Sequence, residues 1–339
     1  MSVLVPEAAV TVGGKDIETV LSGTISKVSV TLAMNEESWA LVELADGYDL
    51  KARRLKAVLS DNLKPGNKVE VQLGYAGDRA AVFCGYLERI ELEAESDKAH
   101  ILRLYACDVV HLMKENRFCR MIMEKSHSAV LKKLISTYNW LGIRLDCDPT
   151  REYEQARTWY QNETDFQFLN RELLDQCPDD RDLYVSLGTV YYKAPDSSKA
   201  VVSLEPAGGI LSCHGVSCYV KRKIMTYGLS ASFQSFAGTG ECAADYLAGA
   251  AGTAIRQIPV PDGHSREFMN GIAAAQAARD KRKAVGLKIR MKGNTQLLTG
   301  SYVKMDKLDP VWNGVYRIRR AEHSLDEDGY QTYIVLEGC

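Results

Sequence analysis

Three residues in one short segment carry the ligand types of a zinc site: Cys213, His214 and Cys218. A structural zinc site needs four nitrogen or sulfur ligands, usually supplied as two pairs. The sequence has no apparent second pair, and Cys213 and Cys218 would point to opposite faces of a strand because side chains alternate along it. We therefore expect buried thiols here, and we predict that the chain binds no metal and no cofactor.

Catalytic motifs are equally scarce. The sequence has no G-x-S-x-G nucleophile turn, no G-x-x-x-x-G-K-[ST] phosphate loop and no H-E-x-x-H metalloprotease motif. Gly238–Gly240 lacks the third glycine of a dinucleotide site. Glu91, Glu93 and Glu95 alternate along a strand, and Asp326–Asp328 is a hairpin tip, so solvent exposure explains both carboxylate groups better than a glycosidase pair does. We predict no catalytic residue.

The remaining polar and aromatic residues are distributed over separate elements. Arg279 and Lys281–Lys283 lie at a helix end, where the helix dipole favours positive charge. The six histidines are isolated in sequence, and a lone histidine is more often a surface or core residue than a base. We expect the tryptophans to anchor cores; they are Trp39, Trp140, Trp159 and Trp312.

The composition is that of a folded, nearly neutral protein. It has 339 residues, 46% of them hydrophobic, and a net charge of −2. This charge balance disfavours a protein that wraps nucleic acid. No apolar run is long enough to span a membrane, and the first residues lack the pattern of an export signal. Nine cysteines without a repeated spacing favour small buried side chains in a reducing cytoplasm over a disulfide framework.

Hydrophobic periodicity divides the chain into β, α/β and β segments. Before residue 111, strands such as Val28–Met34, separated by turns such as Lys64–Asn67, predict a small antiparallel barrel or sandwich. In the middle, Ser126 begins one helix, and Thr164–Gln167 forms a capping box before a second helix that Pro178 ends.

The last third of the chain is predicted to return to β structure. Short strands are expected at 217–220 and 224–229, a loop at Pro259–Gly263, and a helix from Ser265 to about Val285. The closing strands are predicted at Leu287–Met291, Tyr302–Met305, Val315–Arg320 and Tyr330–Leu336.

The two β regions show a weak internal repeat. Gly66, in a turn before a strand, matches Gly300, and Gly85 matches Gly314 before the next strand. Any two antiparallel β segments share such a pattern, so the repeat is a hypothesis. If it holds, three copies of the chain present six similar units around one axis.

These patterns predict an α+β, mostly β fold: two similar small antiparallel β-barrels with inserted α/β segments, in a hub-like arrangement. The expected division is 1–110 as the first barrel, 111–199 as an α/β insertion, 200–236 as the start of the second barrel, 237–286 as a loop and helix insertion, and 287–339 as the rest of the second barrel.

Six short segments carry a resemblance to a known family through both their residues and their order along the chain. They are Pro65–Val71, Val82–Tyr86, Leu104–Asp108, Tyr160–Leu169, Gly300–Val303 and Asn313–Tyr316. The segment with Thr164, Asp165, Phe166 and Leu169 looks like a Q-x-x-x-S-D-x-x-F-L motif with threonine for serine and a spacing one residue shorter. Together they resemble the late control protein D family of tailed phages, which are baseplate hub proteins related to the N-terminal region of VgrG.

The resemblance implies a structural role. The chain would form a homotrimer in the baseplate of a virion or tail-like particle, between the six-fold tail tube protein and a three-fold spike or needle protein, next to other baseplate proteins. DNA or tape-measure protein would pass through its channel. Since the sequence shows no β-helical extension like that of VgrG, we expect a separate spike chain.

Two other functions remain open at this stage. A cell-wall hydrolase attached to a baseplate would need a cleft with two converging carboxylates or a Cys–His pair. A β-rich adhesin or carbohydrate-binding protein would need clustered exposed aromatic residues and an export signal.

Overall fold

A computed structural model describes residues 5–17, 24–45, 48–49, 51, 54–55, 63–93, 100–196, 198, 200–206, 208–217, 222–228, 236–238, 254–260 and 265–339. Strands account for most of its regular structure. They are β1 Pro6–Val12, β2 Lys15–Asp16, β3 Thr24–Ala33, β4 Trp39–Ala45, β5 Tyr48–Asp49, β6 Arg54–Leu55, β7 Lys68–Tyr75, β8 Asp78–Glu93, β9 Ile101–Cys107, β10 Arg117–Ser126, β11 Arg144–Cys147, β12 Glu152–Thr164, β13 Asp182–Ser186, β14 Thr189–Lys193, β15 Ala200–Leu204, β16 Ile210–Ser217, β17 Arg222–Gly228, β18 Phe236–Gly238, β19 Ala254–Val260, β20 Val285–Lys292, β21 Tyr302–Met305, β22 Gly314–Asp326 and β23 Gly329–Gly338.

The helices are few. They are α1 Val109–Glu115, α2 His127–Ser136, α3 Asp165–Phe168 and α4 Arg266–Arg282, with a 3-10 turn at Asn139–Leu141 and a π-helical segment at Leu169–Asp175. The predicted caps Ser126, Thr164 and Ser265 are confirmed, because each side chain accepts a hydrogen bond from a backbone N–H of the first turn. Within the described residues, no helix has the length and apolar character needed to cross a bilayer.

The first β module contains six strands in the order β1-β7-β8-β9-β4-β3. Alternation places Val69, Val71 and Leu73 in the core while Glu70 and Gln72 stay partly exposed. Numbered by their position along the chain, these six strands pair in the order 1-4-5-6-3-2.

The second β module repeats this order with β15-β21-β22-β23-β20-β16. The sequence of pairings is therefore the same in both modules. They differ at the first strand, since β1 pairs antiparallel with β7 whereas β15 pairs parallel with β21.

Backbone hydrogen bonds confirm the repeat and correct part of its alignment. The N–H of Gly66 donates to Leu87 (2.7 Å), and the N–H of Gly300 donates to Ile318 (2.9 Å). Leu87 and Ile318 donate back to Asn67 and Ser301, both at 2.8 Å. Gly66 and Gly300 are thus equivalent, as predicted.

The proposed match of Gly85 with Gly314 is wrong by two positions. The pairing of Leu87 with Ile318 makes Tyr316 the counterpart of Gly85. A strand pattern of period 2 is unchanged by such a shift, so the sequence could not distinguish the two registers.

The modules join edge to edge. β3 pairs antiparallel with β22, which merges the twelve strands of both modules, with the short strand β2 beside β1, into one 13-stranded sheet. A single hydrophobic core spans them, from Val10 in β1 to Leu336 in β23. The predicted fold class, mostly β with antiparallel sheets, two similar β units and inserted α/β segments, is confirmed.

The α/β insertion has its own core. The two-stranded ribbon β10-β12 and the small sheet β11-β14-β13 enclose the apolar sides of α1, α2 and the α3 region. The predicted helix after Thr164 changes to a π-helix at Leu169, a deviation that the apolar spacing does not encode. Met34 forms a β-bridge with Tyr184, which connects the insertion to the β3–β4 turn.

A third, smaller unit packs α4 on the sheet β18-β17-β19. Three predicted boundaries are wrong here. Ser217 ends strand β16 instead of starting a strand, Pro259 lies within β19 instead of a loop, and Val285 begins β20 instead of ending α4. The predicted strand at 218–220 and the glycines at 239–240 lie outside the described residues.

The predicted burial of cysteines and tryptophans is only partly confirmed. Cys107 and Cys177 are buried, but Cys119, Cys213 and Cys339 are exposed; Cys218 and Cys242 lie outside the described residues. Trp159 is buried, whereas Trp39 and Trp140 are 37% and 72% exposed.

Candidate functional site

The residues of the Thr164–Leu169 motif form a helix start with two reciprocal hydrogen bonds. Thr164 Oγ1 accepts from the backbone N–H of Gln167, and Gln167 Oε1 accepts from the backbone N–H of Thr164, each at 3.2 Å. Leu169 is fully buried in the core of the insertion. Phe166 is partly buried, and the Lys114 ammonium lies 5.2 Å from the centroid of the Phe166 ring. The motif is therefore a local structural anchor.

Asp165 is the centre of a buried polar network. Its side chain is fully buried, and its Oδ1 accepts from Arg120 Nη2 and Gln161 Nε2, both at 2.7 Å. Its Oδ2 accepts from the Tyr138 hydroxyl at 2.7 Å. One carboxylate thus ties together β10, β12 and the segment after α2.

The Tyr138 hydroxyl is both a donor and an acceptor in this network. Burial, and then the hydrogen bond to the Asp165 carboxylate, raise the pKa of Tyr138 above its ordinary value. Asn116 donates to the same hydroxyl at 3.2 Å. Sequence reasoning identified Gln161 and Asp165 by motif, but Arg120 and Tyr138 carried no signal that linked them to it.

Asp108 holds the start of α1. Its Oδ1 accepts from the Val110 N–H (2.9 Å) and its Oδ2 from the Ser38 N–H (3.0 Å). Burial raises the pKa of Asp108 to about 7, although both N–H donors act in the opposite direction. This carboxyl fixes α1 to the β3–β4 turn.

A second cluster of buried charges joins the insertion, α4 and the second β module. Arg282 pairs with Asp180 and Asp182, and Arg317 pairs with Asp182. Arg317 is 1% exposed. Burial works against its charge, but Asp182, Tyr302, Tyr184 and Glu337 together outweigh that effect and raise the pKa of Arg317.

The basic run lies at the end of α4, as predicted, but two of its four side chains are buried. Arg279 and Arg282 are 8% and 7% exposed, whereas Lys281 and Lys283 lie in solvent. The aspartates that pair with Arg282 come from the start of β13, about a hundred positions earlier, so local spacing could not indicate them.

The other motif glycines lie within a strand, at a strand start and in turns. Gly85 is in β8, where an added Cβ would lie 2.3 Å from the Cys107 carbonyl oxygen, and Gly314 begins β22. Gly66 and Gly300 both have left-handed backbone, with φ of +89° and +84°. Only Gly300 also touches the insertion, because a Cβ there would lie 2.3 Å from the Tyr184 ring.

Gly300→Ala should lower the free energy of unfolding by about 3 kcal/mol, since it combines left-handed strain with overpacking against Tyr184. Gly66→Ala is the matched control and should cost about 1–2 kcal/mol, because it carries the strain without the clash. Urea denaturation followed by circular dichroism measures both. Equal losses would contradict the role of Tyr184.

A cleft of about 550 Å³ separates the insertion from the second β module. Asp146 and Asp148 on its wall share one partner, the Lys193 ammonium, at 2.5 and 3.0 Å.

Of the predicted carboxylate groups, Glu91 accepts from Tyr105 (2.9 Å) and Glu93 pairs with Arg103 (2.6 Å), while Glu95 lies outside the described residues. These contacts are structural ion pairs and hydrogen bonds.

Two histidines are buried within separate cores. Burial lowers the pKa of His127 to about 3 and that of His323 to about 4. His323 Nδ1 lies 2.8 Å from the Tyr330 hydroxyl. His214, from the zinc-like segment, lies exposed on β16, and the part of the chain that the structure describes contains no group of three His, Cys, Asp or Glu residues arranged for a metal.

Exposed apolar residues mark two candidate contact surfaces. Met121, Met123 and Tyr160 are 62–70% exposed on the outer face of the ribbon β10-β12, with Met121 directly opposite Tyr160. Leu211 and Val216 are 54% and 41% exposed on β16, which ends the sheet. Such features are typical of protein contacts.

Comparison with known proteins gives a family and a set of structural relatives. The family described as the Alg8 N-terminal domain matches residues 3–195. The chain belongs to this family. The match covers the first β module and the α/β insertion, up to the end of β14. No curated protein matches the sequence.

Solved structures show the same fold over nearly the whole chain. A tail protein from Neisseria meningitidis MC58 is 13% identical with a TM-score of 0.73, covering 98% of this chain and 96% of its own. The 43 kDa tail protein of prophage MuSo2 from Shewanella oneidensis is 15% identical with a TM-score of 0.70, covering 98% of each chain. A type VI secretion component from E. coli, described as similar to the T4 tail proteins gp27 and gp5, is 12% identical with a TM-score of 0.61, covering 97% of this chain and 76% of its own.

At such low identity these likenesses establish the fold. They agree with the mostly β fold that the sequence predicts.

Proposed function

We propose that the protein is a structural hub of a contractile tail or tail-like particle. It forms a homotrimeric ring that joins a six-fold tail tube to a three-fold spike or needle. The observation that carries the proposal is the repeated strand order of the two β modules, because three chains with two equivalent modules each imitate six-fold symmetry. The proposal assigns no catalytic activity to the chain.

The supporting evidence is the combination of fold and motifs. The solved relatives named above include two tail proteins and a secretion component, and the motif order resembles late control protein D. We propose membership of that family as well, with a place in the baseplate of the particle after assembly in the bacterial cytoplasm. Its partners would be the tube protein, the spike or needle protein and other baseplate proteins, and DNA or tape-measure protein would pass through the ring.

The proposal also includes the domain division. Residues 1–110 and the combination of 200–236 with 287–339 supply the two ring units. Residues 111–199 and 237–286 are insertions that lie outside the ring. The repeated topology supports the two ring units through their six strands each, whereas β17 (Arg222–Gly228) lies in the separate sheet β18-β17-β19, so the boundary at 236 is not supported by strand pairing.

Light scattering after size-exclusion chromatography tests the proposal. We expect a mass near 113 kDa at micromolar concentration, three times the 37.6 kDa of one chain. A stable monomer, or an assembly that is not a multiple of three, would contradict the hub.

A further inference from the structure

The outer face of the β10-β12 ribbon is apolar at its centre. Met121 lies directly opposite Tyr160, and Met123 follows on the same face because side chains alternate along a strand. These three side chains are 62–70% exposed, whereas their neighbours Ile122 and Trp159 are buried on the inner face. The inner face thus completes the core of the insertion, and the outer face leaves three large apolar side chains in solvent.

A cation lies at each end of this face. Arg117 begins β10 and Lys125 lies near its far end, and both side chains are exposed. Arg117 donates to the Asn162 carbonyl (3.1 Å), and neither cation forms an ion pair with another residue that the structure describes. The carboxylate of Glu124, next to Lys125, pairs instead with Lys133 at 2.6 Å. Both positive charges are therefore available to a partner.

The face between these cations carries no negative charge. Its outward register pairs run from Arg117 with Thr164 to Met123 with Thr158, and none of the paired residues is acidic. The carboxylates of β12 at positions 152 and 154 belong to the start of that strand, beyond the register shift. At about 3.3 Å per residue, the two cations lie about 26 Å apart along β10. The face therefore combines an apolar centre with positive charge at both ends.

We propose that this face binds an extended segment of another protein, with apolar side chains at its centre and a carboxylate near each end. The carboxylates pair with Arg117 and Lys125, and the apolar centre covers Met121, Met123 and Tyr160. Methionine side chains suit such a contact because they are flexible and adapt to the shape of a partner. The inference rests on the proposed hub for the place of this partner in the baseplate.

A second copy of the chain does not match this face. Two ribbons packed face to face in antiparallel orientation place Arg117 of one copy against Lys125 of the other, and a parallel orientation places each cation against its equivalent. Like charges in contact disfavour both arrangements. Nucleic acid matches no better, because phosphate binding needs cations along the surface rather than an apolar centre. The charges therefore favour a different, acidic partner.

A photo-cross-linker at the centre of the face identifies its occupant. p-Benzoylphenylalanine in place of Tyr160 keeps an aromatic side chain there and reacts with nearby C–H bonds under ultraviolet light. We expect irradiation of assembled particles to join the chain to a different protein, and mass spectrometry to locate the link in an apolar segment flanked by Asp or Glu. The control carries the same probe at Val311, another exposed apolar residue, and should not give this adduct.

Charge reversal tests the two ends of the face. Arg117→Glu with Lys125→Glu should lower the yield of the adduct by about tenfold, because each carboxylate of the partner then meets a like charge. The matched control, Lys64→Glu with Lys281→Glu, makes the same change in net charge at exposed positions elsewhere and should keep the yield. Both double variants should keep their circular dichroism spectra. Equal yields would contradict the role of the cations.

The outcomes separate this face from the hub itself. The absence of an adduct, or an adduct with a second copy, with nucleic acid or with lipid, overturns the proposed occupant, while a trimeric mass by light scattering leaves the hub standing. A monomeric chain that still forms the expected adduct keeps the docking face and overturns the hub.

Discussion

Asp165→Asn should lower the free energy of unfolding by about 3–5 kcal/mol, the range for a buried charge pair that loses one partner. The change leaves the Arg120 guanidinium without its counter-ion and turns an acceptor of three hydrogen bonds into a group that must also donate. Urea denaturation followed by circular dichroism measures the loss.

Two controls locate this effect in the network. Glu327→Gln removes a carboxylate from the exposed hairpin tip and should change stability by less than about 0.5 kcal/mol. Tyr138→Phe removes one hydrogen bond to Asp165 and should cost about 1–2 kcal/mol, because the carboxylate keeps its other two donors. A loss for Asp165→Asn no larger than that for Tyr138→Phe would show that the network is not centred on the carboxylate.

Arg317→Met should cost about 3 kcal/mol, because it leaves the Asp182 carboxylate buried with only Arg282 to balance it. Adding Asp182→Leu should recover a large part of that loss, since the double variant replaces a buried ion pair with apolar side chains. The two single variants and the double variant form a double-mutant cycle that measures the coupling.

The matched control is Arg320→Met on the same strand. Arg320 pairs with Glu322 at 2.8 Å, but both side chains are about 40% exposed, so the loss should stay below about 1 kcal/mol. A double variant as unstable as the two single losses added together would show that Arg317 and Asp182 act independently, contrary to this account.

Much of the fold follows from local sequence. The caps at Ser126, Thr164 and Ser265 are confirmed because a capping side chain bonds to N–H groups only a few residues away. The strands of both β modules follow from period-2 alternation, and the turn glycines Gly66 and Gly300 marked the repeat correctly. Gly85 was matched with Gly314, although its counterpart is Tyr316, two residues later. This error shows the limit of alternation, because a period of two does not fix strand register.

Long-range contacts decided what local patterns could not. The sequence placed Arg282 at a helix end, and only the fold brought Asp180 and Asp182 to it. Cys213 and Trp140 were expected in cores, yet their strand and turn face solvent. The equivalence of β16 with β3 became visible only from strand pairing.

The amino-acid sequence by itself determined where α2, α3 and α4 start, which strand residues face the core and that a β pattern occurs twice, but it gave no prediction of α1. Only the tertiary structure decided which charges are buried together and how the two modules join. The physical reason is sequence separation. Capping and alternation depend on residues only a few positions apart in the chain. Ion pairing and strand order depend on segments far apart in sequence, which meet only when the core forms.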